Sequence, residues 1–183
     1  MKNKGKLVLK NISLDEPCLR CIYHPLHFSN GKLKREALLP PPNKGRNDVS
    51  LLRHTYITIE DCIKHGKNTQ MGENQSFIAI ASITRKDVLD NNNWAETKDE
   101  KGIYNGTFAD IYYAPMHANQ YVSLEVDIYS NDSNCDLPAH ADLRYDSELN
   151  GTVQTRMRQY ASRLVKKMEI VYLQNMQSKS NIA

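Results

Sequence analysis

Hydrophobic and polar positions alternate most strictly over residues 121–129. Val122, Leu124, Val126 and Ile128 fall on one side there, and Ser123, Glu125 and Asp127 on the other. A period of two sets one face on a core and the other on water, which predicts a half-buried strand. From Thr152 the period changes. Val153, Met157, Tyr160, Ala161, Leu164, Met168 and Val171 recur at steps of three and four, predicting a long C-terminal helix flanked by Arg156, Arg163 and Lys167. Asn150-Gly151-Thr152 supplies its turn and cap. Ile170 and Leu173 lie off the stripe, so the last turns either pack elsewhere or stop being helical. A third pattern, Ser76 to Ile83, is apolar on both faces and predicts a central strand covered on both sides.

Shorter elements fill the rest of the chain. Leu7-Val8-Leu9 and Cys18–Tyr23 read as strands, the second set between Pro17 and Pro25, and Asn30-Gly31 as a turn. Pro40-Pro41-Pro42 marks an extended connector, because proline lacks the amide donor that a helix interior or central strand needs. Val49–Arg53 predicts a strand. Thr58-Ile59-Glu60-Asp61 and Thr84-Arg85-Lys86-Asp87 each join a threonine cap to an acid three residues on, the mark of a helix start. The first helix should end near Gly66 and the second at Asp90–Asn93. Ile103-Tyr104, the Asn105-Gly106 turn and Phe108–Tyr113 suggest a hairpin. The expected architecture is α+β: a mostly antiparallel sheet with short helices and a long C-terminal helix packed on it. It would occupy residues 17–176 as one domain, between a basic N-terminal arm (1–16) and a flexible tail (177–183).

Composition narrows the class. The chain has 183 residues, 40% hydrophobic and 25% charged, which suits a globular domain rather than a disordered one. Its apolar runs are too short for a signal-peptide core or a membrane span, so a soluble cytoplasmic protein is expected. The four cysteines, Cys18, Cys21, Cys62 and Cys135, are expected to be reduced. The net charge of +3 is unevenly spread: +7 over residues 1–70, −9 over 71–151 and +5 over 152–183. Either the blocks form surfaces suited to charged partners, or they interleave in the fold and neutralise one another.

Candidate chemistry is sparse. Cys18, Cys21, His24 and His27 stand three apart, but on a strand that spacing sends Cys18 and His24 to one face and Cys21 and His27 to the other. No metal site and no cofactor is therefore expected. His140 and Asp142 share a face of an extended segment, and Arg144 joins them. A histidine beside an acid can act as general base, metal ligand or oriented donor, or can simply order the loop before the helix. Arg53 and His54 leave a strand where an arginine could grip a phosphate or carboxylate. Tyr112, Tyr113 and Tyr121, with Arg156, Arg163 and Lys167, could stack on bases and neutralise phosphates, although the middle block is acidic. No glycine-rich phosphate loop is present in the sequence.

Glu36-Ala37-Leu38-Leu39-Pro40, Asp48-Val49-Ser50-Leu51-Leu52-Arg53 and Pro138-Ala139-His140-Ala141-Asp142-Leu143 together resemble a loose group of small bacterial proteins. In those proteins an alanine-aromatic segment precedes a Ser-Val-Asp or Ser-Val-Arg strand, with a Pro-Ala-His-Ala-acid motif near the C-terminal end. Here leucine replaces the aromatic and Ser50-Leu51-Leu52-Arg53 the shorter strand form. The resemblance implies a bacterial setting and makes the histidine motif a group hallmark, with no activity attached. Such proteins sit in gene clusters beside antiphage-defence or toxin components. The functional expectation is a non-enzymatic accessory subunit binding a protein partner. The alternatives are a small hydrolase or transferase built on His140, Asp142 and Arg144, and, more weakly, a nucleic-acid binder.

Overall fold

The run Ser76–Thr84 forms the longest strand among the described residues, and it lies inside a six-stranded sheet. The computed structural model describes residues 6–40, 47–69, 72–96, 108–116, 128–129, 137, 139–145 and 153–174. In chain order the elements are β1 (Lys6–Leu7), β2 (Pro17–His24), β3 (Phe28–Ser29), β4 (Lys32–Leu33), β5 (Asp48–Arg53), α1 (Ile59–Asn68), β6 (Ser76–Thr84), α2 (Arg85–Glu96), β7 (Ala109–Tyr113), β8 (Ile128–Tyr129), β9 (His140–Tyr145), α3 (Val153–Leu164) and β10 (Glu169–Leu173). The main sheet runs β10-β6-β2-β5-β9-β7, with every neighbouring pair antiparallel. β1 pairs in parallel with β8, and β3 with β4 around the Asn30-Gly31 turn, where both residues have positive φ. The fold is α+β.

Strand alternation sends two sets of side chains to two cores. Cys18, Ile22, Val49, Leu51, Ala141, Leu143 and Tyr145 enter the first, where Val88 of α2 and Tyr160, Ala161 and Leu164 of α3 cover them. The hydroxyl of Tyr145 donates to Leu38 O (2.5 Å) and that of Tyr160 to Val88 O (2.7 Å), so both buried phenols are paired. Leu19, Cys21, Tyr23, Leu52 and Ile80 enter the second core with Cys62 of α1, Val8, Tyr56 and Ile57. Cys18 and Cys21 thus lie in different cores, on opposite sides of β2.

Both helix-start signatures form. Thr58 Oγ1 accepts from Asp61 N (3.1 Å) at α1. At α2, Thr84 Oγ1 accepts from Asp87 N (3.1 Å) while Asp87 Oδ2 accepts from Thr84 N (3.1 Å), a reciprocal capping box. α2 runs on through Asn91–Asn93 rather than stopping there, and Asn91 and Asn92 have tertiary partners. Asn91 Nδ2 donates to Tyr160 O (3.3 Å), and Asn92 holds both backbone groups of Ala109.

The C-terminal helix is shorter than its stripe. Tyr160, Ala161, Leu164 and Met168 are buried, but α3 has only 12 residues, and a 3₁₀ turn over Val165–Lys167 leads into β10. Val171, read as the last residue of the helical stripe, is a strand residue and 41% exposed. The physical reason lies in the pairing. Residues 169–173 carry two β-branched side chains and find a backbone partner in β6 on both sides of a register shift at Val171 (Glu169↔Ser82, Ile170↔Ala81, Tyr172↔Ile80, Leu173↔Ala79). Of the alternating segment 121–129, Ile128 and Tyr129 form β8; Val122, Leu124 and Val126 lie outside the described residues, as do Ile103 to Gly106 of the expected hairpin. Among the described residues no helix is long and apolar enough to cross a membrane.

Candidate functional site

β9 positions the histidine motif. Ala141, Leu143 and Tyr145 point into the first core, so His140, Asp142 and Arg144 share the opposite face. Register sets Leu52, Ser50 and Asp48 of β5 beside them, with Tyr112 and Asp110 of β7 beside Asp142 and Arg144. The row grades from inside to outside: His140 is 3% exposed, Asp142 6%, and Arg144 is exposed.

His140 is tied to the end of β7. Its backbone carbonyl accepts from Ala114 N (3.3 Å), and its ring Nδ1 lies 2.6 Å from Ala114 O. A carbonyl only accepts, so Nδ1 carries the proton. Nε2 is 3.8 Å from Asp142 Oδ1, too far for a hydrogen bond. Asp142 instead accepts from Arg144 Nη2 through Oδ2 (3.2 Å), and the Arg144 guanidinium lies 5.5 Å from the centre of the Tyr112 ring. Asp142 Oδ1 is buried with no hydrogen-bond partner among the described residues.

His65 of α1 joins this cluster. Burial first, then the neighbouring charge of His140 and then that of Arg20, lowers its pKa to about 4, so it is neutral at physiological pH. Its Nδ1 is also buried without a partner among the described residues. The sequence held one sign of it. His65 lies three residues after Cys62 and next to Gly66, the two residues that α1 buries.

Nucleophilic catalysis needs a nucleophile bonded to a base that a third group orients. Ser50 of β5 faces the same way, and it pairs in register with Asp142, whereas His140 pairs with Leu52. The ring nitrogen of His140 that an orienting acid would hold is committed to a backbone carbonyl. What the geometry does is fasten the junction of β7 and β9.

Arg53 sits elsewhere and inside. It is 1% exposed, and its Nε and Nη2 meet Glu16 Oε1 (2.7 Å) and Oε2 (2.8 Å) in a fork-to-fork pair. It also donates to Leu9 O and Asn11 O, and its guanidinium lies 4.7 Å from the centre of the Tyr56 ring. The segment read as a basic arm is described from Lys6 onward. There Arg53 holds residues 9–16 against the sheet, and Val8, Ile12 and Glu16 are buried. His54 is exposed, with Nδ1 3.1 Å from Ile57 O.

On α3 Arg156 is half-buried and Arg163 exposed; beyond the helix Lys167 is exposed, its Nζ 3.5 Å from Asp87 O. α3 covers the first face of the sheet, whereas Tyr112 points from the second, so the basic row and this tyrosine do not meet. Tyr121 lies outside the described residues. Among the described residues no group of three or more His, Cys, Asp or Glu is placed to hold a metal ion.

The two sheet edges differ. At β7, Asn92 Nδ2 donates to Ala109 O (2.9 Å) and Asn92 Oδ1 accepts from Ala109 N (3.1 Å), while Asp110 Oδ1 accepts from Ile111 N (2.7 Å). Side chains thus take three of the outward backbone groups that another strand would use, both of Ala109 and the amide of Ile111. β10 pairs only with β6 among the described residues, and Ile170, Val171 and Leu173 are 38%, 41% and 50% exposed. Compared with family models, with curated proteins and with solved structures, the chain matches none.

Proposed function

We propose that this chain is a non-catalytic interaction protein that receives an extended segment of a partner protein as an added strand along β10. The observation that carries the reading is the asymmetry of the sheet edges. β7 is closed by Asn92 and Asp110, and β10 presents three exposed apolar side chains beside an edge with no described neighbour. Added strands bind through main-chain hydrogen bonds and gain specificity from alternate side chains. The residue shift at Val171, between Ile170 and Tyr172, breaks the ladder, so the regular stretch after it is the part suited to pairing. The bacterial defence or toxin operon implied by the sequence resemblance is where the partner would be sought. His140 and Asp142, in this reading, stabilise the scaffold.

Gln174 N donates to Ile78 O (2.7 Å), so by strand alternation the amide of Leu173 points away from β6. Proline there removes an outward donor without breaking the β6 ladder. With a photo-crosslinking side chain at Val171 in the native host, one protein adduct should form and map to an extended segment of the partner. Adding Leu173→Pro should lower its yield about tenfold, the effect of losing one hydrogen bond from an interface. The melting temperature should stay unchanged. Equal adduct yield with and without the proline would refute the strand-addition reading.

A further inference from the structure

The second core brings two free thiols together. Cys21, on β2, is 7% exposed and Cys62, on α1, is 0% exposed; their sulfurs are 3.7 Å apart. Cys21 Sγ also lies 3.7 Å from Cys62 O, so the strand sulfur sits against the helix backbone. Gly66 makes this approach possible. A Cβ there would lie 2.4 Å from the Phe77 ring and 3.2 Å from Cys21 Sγ, so a larger residue would force α1 off the sheet. The other described cysteine, Cys18, is fully buried in the opposite core, with β2 itself between it and the pair.

We propose that Cys21 and Cys62 form a reversible dithiol–disulfide site, oxidised by hydrogen peroxide. In contact already, the sulfurs need to close only to the covalent distance of about 2.05 Å, a movement that side-chain rotation can supply. The sulfur of Cys21, the less buried of the two, attacks one peroxide oxygen. The O–O bond breaks, Cys21 becomes a sulfenic acid and one water leaves. The sulfur of Cys62 then attacks the sulfenic sulfur. The S–S bond forms, the S–O bond breaks, and a second water departs with the Cys62 proton. Two thiols are oxidised and one peroxide is reduced to two waters. The contact with Cys21 and then burial push the Cys62 thiol up, which fits Cys62 as the second partner rather than the first. The new bond would close a loop between residues 41 apart in sequence and pin α1 to β2.

The full chain, folded and fully reduced, is treated with hydrogen peroxide, and its thiols are counted after denaturation. The count should fall by two, a non-reduced digest should contain the Cys21–Cys62 cross-linked peptide, and the melting temperature should rise. Dithiothreitol should reverse all three. In the Cys62→Ser chain no intramolecular cross-link should form at Cys21. The wild-type digest decides the matter even if that variant folds poorly. Sulfinic or sulfonic acid at Cys21 without a cross-link, cross-links only between chains, or an unchanged thiol count would each overturn the proposal.

Discussion

Replacing Arg53 by alanine is expected to cost about 3–5 kcal/mol, the range for removing one partner of a buried ion pair. The geometry explains why the effect should be that large. Glu16 and Arg53 are both buried, and the substitution would strand the Glu16 carboxylate as well as the carbonyls of Leu9 and Asn11. A loss of that size is a large share of the 5–15 kcal/mol that holds a typical domain folded. The double variant Arg53→Met, Glu16→Leu should lose much less than Arg53→Ala, because it leaves no charge unpaired. Urea melts of the three chains measure this directly. A loss below about 1 kcal/mol for Arg53→Ala, the scale of a solvent-exposed ion pair, would instead mark Arg53 as accessible to a ligand.

His140→Ala is expected to lower stability by about 1–3 kcal/mol, the cost of leaving a buried hydrogen-bonding group without its partner. The group left behind is the Ala114 carbonyl, to which the ring Nδ1 is held at 2.6 Å. His140→Asn, which keeps a side-chain donor, should lose less. If His140→Ala melts like the wild type yet abolishes the biological phenotype, the ring is a functional group and the reading of His140 and Asp142 as scaffold fails.

Patterns that rest on local chemistry were legible in the sequence. The doubly apolar run at Ser76–Ile83 is an interior strand, the threonine–acid pairs at Thr58 and Thr84 cap helices, and the stripe from Tyr160 to Leu164 is buried. What escaped was set by partners distant in sequence. Val171 continues a helical stripe on paper while Ile170 and Leu173 lie off it, and it is the backbone of β6 that draws residues 169–173 into the sheet. The asparagine run at 91–93 looks like a helix end until Tyr160 and Ala109 take up the side chains of Asn91 and Asn92. Arg53 has the features of a surface arginine, since Glu16, its partner, lies 37 residues away. The candidate site was legible in part. His140 and Asp142 do share a face, but nothing in their neighbourhood announces the carbonyl of Ala114 or the approach of His65 from α1.

Amide hydrogen exchange on the isolated chain tests the unequal edges most directly. Ala109, whose amide is bonded to Asn92 Oδ1, and Ile111, whose amide is bonded to Asp110 Oδ1, should exchange slowly for edge-strand residues. Leu173 should exchange at close to the rate of an unprotected amide, while Gln174, bonded to Ile78 O, is slower. Protection of Leu173 equal to that of Ala109 in the isolated monomer would mean that the β10 edge is already covered, and would contradict the account of β10 as the strand that receives a partner.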